Sequence, residues 1–202
     1  MKQLFKAIAL SFWFLFLAGC ASDNVRSDYA AEIWSERAEK HKLFSKKGAS
    51  PLSEAERKNF ISLNYYEPDS LYRFEATVNL FDSLELISMA TSSGKIRPYH
   101  KIAILTFSLV GESHQLIAYR SAEKPEEDWF IPFKDFTNGE ATYGGGRYLD
   151  LNPERILDKP VVLDFNKAYN PYCHYSEGFS CPIPPKENEL PVAIEAGEKR
   201  YR

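Results

Sequence analysis

Cysteine and histidine are scarce in this chain: three cysteines and four histidines in 202 residues. A metal reading would have to combine Cys173, His174 and Cys181. Adjacent Cys-His does not match the usual C-x₂₋₄-C spacing, and no fourth ligand is evident, so no metal and no cofactor is expected. Long apolar runs are absent too. The run Ala7–Leu17 has eleven residues, against the roughly 20 that a membrane-spanning helix needs. There is no excess of positive charge. The formal net charge is −3, and the basic doublets Lys46-Lys47 and Lys199-Arg200 are isolated, which argues against nucleic acid as a partner. No G-x-x-x-x-G-K-[ST], G-x-G-x-x-G or H-E-x-x-H motif occurs. Nor does a G-x-S-x-G elbow. No internal repeat and no low-complexity segment is present.

What the chain does have begins at its start. Lys2 and Lys6 precede the apolar run, and Leu17-Ala18-Gly19-Cys20 follows it. Basic start, apolar core and small residues make a signal peptide. The cysteine after Leu-Ala-Gly is the pattern that lipoprotein signal peptidase accepts once lipid is on the thiol. The plain alternative is an uncleaved apolar anchor with an incidental cysteine. The expected organisation is a leader over 1–19, a lipidated tether over 20–28 and one domain over 29–202. Acyl chains such as palmitate on Cys20 would hold that domain to a membrane. An extended eight-residue tether reaches at most about 28 Å. Ala21 is not the aspartate that marks inner-membrane retention in enterobacteria, which favours the periplasmic side of the outer membrane. Removing the leader leaves 183 residues and moves the net charge to −5.

With Cys20 assigned to lipid, Cys173 and Cys181 remain in an exported chain, where a disulfide is the default. Tyr29 to Phe44 has helical periodicity, with Ala30, Ile33, Trp34, Ala38 and Phe44 inward and Glu32, Glu36, Glu39 and Lys40 outward. Ser53 with Glu56 forms a capping box for a short second helix. The period then changes to two. Strands are expected at Tyr72–Leu80, Leu84–Met89, Ile102–Val110, His114–Arg120, Trp129–Phe133, Val161–Phe165 and Leu190–Ile194, with a turn at Thr91–Gly94. Pro132 makes its strand edge-like. Helices first and strands after give an α+β class with an antiparallel barrel-like or sandwich sheet. The proline-rich stretch 166–189 reads as an excursion over that sheet. His41 reads as a packed or rim residue, and His100 and His114 as solvated ones.

Two segments are dense in polar and special residues. The first runs Pro132-Phe133-Lys134-Asp135-Phe136-Thr137-Asn138-Gly139-Glu140-Ala141-Thr142-Tyr143-Gly144-Gly145-Gly146-Arg147-Tyr148-Leu149-Asp150. Asn138-Gly139 is hairpin-turn chemistry. Three successive glycines have two readings. Either the backbone approaches an anionic ligand beside Arg147, or a curved strand lets an aromatic ring pack on bare backbone. The second segment runs from Leu163-Asp164-Phe165-Asn166 through Tyr169-Asn170-Pro171-Tyr172-Cys173-His174 to Cys181-Pro182 and Asn188.

Through these two segments the chain resembles the bacterial and archaeal family called domain of unknown function 1684. The resemblance rests on Pro132–Asp135 with Thr137 and Gly139, on Thr142–Asp150, on Leu163–Asn166 with Ala168–Cys173, on Cys181-Pro182 with Pro184-Pro185, Asn188 and Leu190, and on Ala196–Lys199. It covers most of the domain after the leader. Ala141 and His174 depart from the common pattern. The resemblance implies no assigned reaction. The leading expectation is a membrane-anchored binding or scaffolding lipoprotein of the cell envelope, with Asp135, Tyr143, Arg147, Asn166, Tyr169 and Asn170 as polar contacts to a small molecule or protein. The rival is an envelope hydrolase using Asp135, Glu140 or Asp164 with His174. A third reading has both segments only building the fold.

Overall fold

A computed structural model describes residues 17–152 and 161–201. The basic start of the leader and most of its apolar run lie outside the described residues. Helix α1 (Leu17–Ser45) is followed by the short α2 (Glu54–Lys58). The Ser53 capping box forms as expected: Ser53 Oγ accepts from the Glu56 N–H, and the Glu56 carboxylate accepts from the Ser53 N–H. Six strands follow: β1 (Arg73–Ala90), β2 (Ile96–Leu109), β3 (Glu112–Ser121), β4 (Trp129–Phe133), β5 (Arg147–Leu151) and β6 (Val161–Asp164). They form one antiparallel, nearly closed barrel-like sheet in the order β5-β4-β3-β2-β1-β6. The expected α+β class with an antiparallel barrel-like sheet is what the chain forms.

Four local expectations change. The two strands expected over Tyr72–Leu80 and Leu84–Met89 are one strand. Leu80 pairs with Ala103 and Glu85 with Lys101, so Asp82 and Ser83 are absorbed in a bulge that bends β1 without ending it. Leu190–Ile194 is not a strand, because Pro191 cannot donate and the segment bonds on one side only. Leu190 N donates to Lys134 O, and Phe136 N to Val192 O. Strand β4 is not an edge. It lies between β3 and β5, but it meets β3 only at Tyr119 and Phe130. Where the strands part, the buried Asn188 side chain bridges them. It accepts from Ile117 N at 2.7 Å and donates to Ile117 O and Pro132 O at 2.9 and 2.8 Å. His114, read as solvated, is buried against Phe107.

Helix α1 also turns a different face inward from the one its hydropathy suggests. Trp34 and Ala38 are exposed, while Ile33, Arg37 and Phe44 are buried. Arg37 Nη1 donates to Tyr66 O at 2.9 Å, and Lys40 pairs with the buried Glu198 at 2.7 Å. Tyr29 donates to Asp164, and Lys167 reaches Glu36. The helix docks through cations as much as through apolar side chains. It extends back through Cys20 to Leu17. The stretch read as an extended tether is therefore helical, and eight helical residues span about 12 Å. Among the described residues no helix is long and apolar enough to cross a membrane.

The main core lies inside the barrel. It includes Leu105, Phe107, Leu116, Trp129, Ile131, Phe133, Leu149, Leu163, Phe165 and Ile194. The C-terminal excursion closes over one flank. Ser92 N donates to Cys181 O and Ile183 N to Ala90 O, which ties it to the β1–β2 turn, while Tyr148 and Tyr169 exchange backbone bonds. Cys173 and Cys181 form the expected disulfide.

Candidate functional site: an aromatic cleft beside the disulfide

Strand β5 divides the first polar segment between two environments. Successive side chains of a strand point to opposite faces. Arg147 and Leu149 point into the protein, and Tyr148 and Asp150 point to the other side.

On the inner side Arg147 is fully buried. Its Nη2 donates to Asp135 Oδ2 at 2.9 Å and to Ile194 O at 2.8 Å, and its Nη1 donates to Ala196 O and Glu198 O. Asp135 Oδ1 accepts from Thr137 N, Thr137 Oγ1 and Ile194 N. Thr142 and Asn138 complete the box. This ion pair clips the C-terminal chain to the barrel and has no face toward solvent. The other expected contacts behave similarly. Asn166 is buried and holds both backbone groups of Asp69. Asn170 donates to Lys199 O, and its backbone N–H donates to Glu198 Oε2. The Tyr143 ring lies on His174 and over Gly145, where a Cβ would stand 2.4 Å from it. At Gly146, with φ +90°, a Cβ would stand 2.6 Å from Phe133 O. These two glycines thus follow the packing reading: bare backbone under an aromatic ring, and a close approach of two segments.

The carboxylate–histidine set also lacks a meeting point. Asp135 is committed to Arg147. Asp164 receives Tyr29 and Asn166. Glu140 is exposed. His174 Nε2 accepts from Tyr201 N at 2.9 Å, and burial holds its pKa below the ordinary histidine value.

On the outer side a cleft of about 720 Å³ lies between the ends of β2, β4 and β5 and the disulfide-bonded excursion. A volume in this range accommodates a small-molecule ligand. Tyr99, Phe130 and Tyr148 line it from the sheet, and Tyr169, Tyr172 and Phe179 from the excursion. Tyr99 stacks on Phe130 at 5.6 Å between centroids, Tyr148 meets Phe130 edge-on at 4.7 Å, and Tyr172 meets Phe179 at 5.2 Å. Cys181 is part of the wall, so the staple borders the cleft directly.

Lys40, Arg97, Glu127, Asp128 and Asp150 bring charge into the lining. Tyr169 Oη donates to Asp150 Oδ2 at 2.7 Å, and the Lys40 ammonium sits 4.8 Å above the Tyr169 ring. Asp150 opens onto the cleft, yet the surrounding protein pushes its carboxyl above the ordinary aspartate value. Burial is the leading cause, the Tyr169 hydroxyl opposes it, and Asp128 and Glu127 reinforce it. Burial also raises the Tyr148 and Tyr169 hydroxyls, which stay protonated as donors. Of the six expected contacts only Tyr169 reaches this cleft. Arg97, Tyr99, Asp128, Phe130 and Asp150 were not among them. The signal that finds the β5 pair is the alternation itself, since Leu149 is a core residue and its two neighbours must face away. Among the described residues no cluster could hold a metal ion.

The family described as "Protein of unknown function (DUF1684)" matches residues 58–199. The solution NMR structure of an uncharacterized protein of Haloarcula marismortui is similar at 41% identity, over 88% of this chain and 97% of its own, with a TM-score of 0.67. No curated protein matches. The matched span takes in all six strands, the buried box and every cleft residue except Lys40, and on that footing the chain belongs to the DUF1684 family of proteins of unknown function.

Proposed function

We propose that this protein is a lipid-anchored binding protein of the cell envelope that holds a small molecule in the cleft between β5 and the disulfide-bonded excursion. The observation that carries this reading is the cleft itself: ligand-sized, lined by six aromatic side chains, with the Asp150 carboxyl held above its ordinary pKa in its wall. The anchor rests on the leader and on Cys20 after Leu17-Ala18-Gly19. The domain begins after the leader, and the periplasmic face of the outer membrane is its proposed location. Arg147 and Asp135 serve the binding role from a distance, by fixing the strand that carries Tyr148 and Asp150.

The anchor is tested by Cys20→Ser with cell fractionation. The parent chain partitions with the membrane fraction and carries an acyl mass increment, and the variant lacks the increment. An unmodified parent of full-length mass would overturn the anchor and leave the cleft reading intact.

A further inference from the structure

Resting on that cleft reading, we infer that the ligand presents an organic ammonium ion to the aromatic wall beside Asp150 and Asp128. Charge points to a cation. The cleft is lined by Glu127, Asp128 and Asp150 against Lys40 and Arg97. Lys40 already pairs with Glu198 at 2.7 Å, which leaves Arg97 as the lining cation to set against the carboxyls. Glu127 is paired with Lys124. Among the described residues neither Asp128 nor Asp150 forms an ion pair, so two carboxyls stand against Arg97 in the lining. An anionic ligand would meet those two carboxyls, whereas a cation would compensate them.

The aromatic wall points the same way. Aromatic faces attract cations through the ring quadrupole, and alkylated ammonium ions are the ligands that aromatic cages take. The cleft already contains one such contact, the Lys40 ammonium over Tyr169. Tyr172 and Phe179 are 41% and 39% exposed and meet edge to face, so their rings are accessible on the excursion side. The tyrosine hydroxyls are largely engaged, Tyr169 with Asp150 and Tyr148 with Pro182 O. Beside Asp128 and Asp150 the wall therefore offers a ligand ring faces and carboxylate oxygens, with Arg97, Ser121 and Ser180 elsewhere in the lining. An ammonium bound beside Asp150 also favours its ionised form, so affinity rises with pH across the range in which that carboxyl loses its proton.

The test is a titration of the purified full chain in maltoside micelles, followed by NMR of its aromatic side chains. The probes are choline, its uncharged carbon isostere 3,3-dimethylbutanol and the acid 3,3-dimethylbutanoate. Choline is expected to shift Tyr99, Phe130 and Phe179 and to bind about tenfold or more tighter than the alcohol, with the acid weakest. Asp150→Asn and, separately, Asp128→Asn are each expected to remove several-fold of the choline affinity and leave the alcohol's unchanged. Glycerophosphocholine separates two sources of the same ammonium. Tighter binding than choline assigns it to a lipid headgroup, and weaker binding to a free molecule. Equal binding of choline and the alcohol, or tightest binding of the acid, at the same residues would overturn the ammonium and keep the cleft. No choline-induced shift at any cleft residue would overturn the ammonium as well, and the fate of the cleft reading would then follow from mapping with chemically unrelated fragments.

Discussion

Arg147 and Asp150 stand three positions apart on one strand and face opposite environments. Arg147 is buried, with two of its three guanidinium nitrogens bonded to Asp135 and to the C-terminal carbonyls. Asp150 opens on a cleft and accepts a hydrogen bond from Tyr169. Both are charged residues in one polar segment, and nothing about their residue types separates them. What separates them is charge compensation. A buried charge persists only when the protein itself compensates it, and Asp135 does this for Arg147 without a ligand, although the buried Nε has no partner among the described residues. The cleft combines accessible ring faces with carboxyls, Asp128 and Asp150, that form no ion pair among the described residues, and that is the condition of a surface that meets something else.

The sharpest way to break this comparison is to remove Arg147. Arg147→Ala leaves Asp135 charged and buried, which is expected to destabilise the fold by about 3–5 kcal/mol. For a domain of this size that is a fall in melting temperature of roughly 10 °C or more. A variant that melts with the parent and loses only ligand affinity would put the ligand at the box. Next in size is the staple. Replacing both Cys173 and Cys181 by alanine is expected to cost about 2–3 kcal/mol for so short a loop. Because Cys181 stands in the cleft wall, the same change should weaken binding in the cleft while the Arg147 box stays intact; unchanged binding would detach the excursion from the site.

The smallest effect separates the two regions by pH. Burial raises the Asp150 pKa in the folded state above the ordinary 3.8. The unfolded chain therefore loses that proton first, and folding loses stability as pH rises from about 3.8 to the folded value, with the penalty constant above it. Asp150→Asn removes the penalty. Its melting temperature is expected to equal or slightly exceed the parent's at pH 7, with the advantage vanishing below about pH 3.8. A variant less stable than the parent at pH 7 would make Asp150 a structural residue like Asp135.

Periodicity and turn chemistry made most of the fold legible: α1, the Ser53 cap, the Thr91–Gly94 turn and the antiparallel sheet. The disulfide followed from the count, since assigning Cys20 to lipid leaves an even pair. The bulge in β1 was illegible because Asp82 and Ser83 look like a turn unless the pairing with β2 is known. The inward face of α1 was hidden because Arg37 and Lys40 are polar, and their partners Tyr66 O and Glu198 are distant in sequence. The box and the cleft were confused for the same reason. The partners that hold Arg147 come from Asp135 and from the backbone of Ile194, Ala196 and Glu198, which no local pattern brings together. The cleft draws on β2, β4, β5, the excursion and Lys40, so its residues meet only after folding.

The most direct test of the account is amide chemical-shift mapping of the full chain against a mixed set of cationic, neutral and anionic fragments. Shifts are expected to concentrate on Arg97, Tyr99, Phe130, Tyr148–Asp150 and Phe179–Cys181. Shifts that cluster instead around Asp135, Arg147 and Asn166, or a full set of fragments that leaves the cleft residues unmoved, would contradict it.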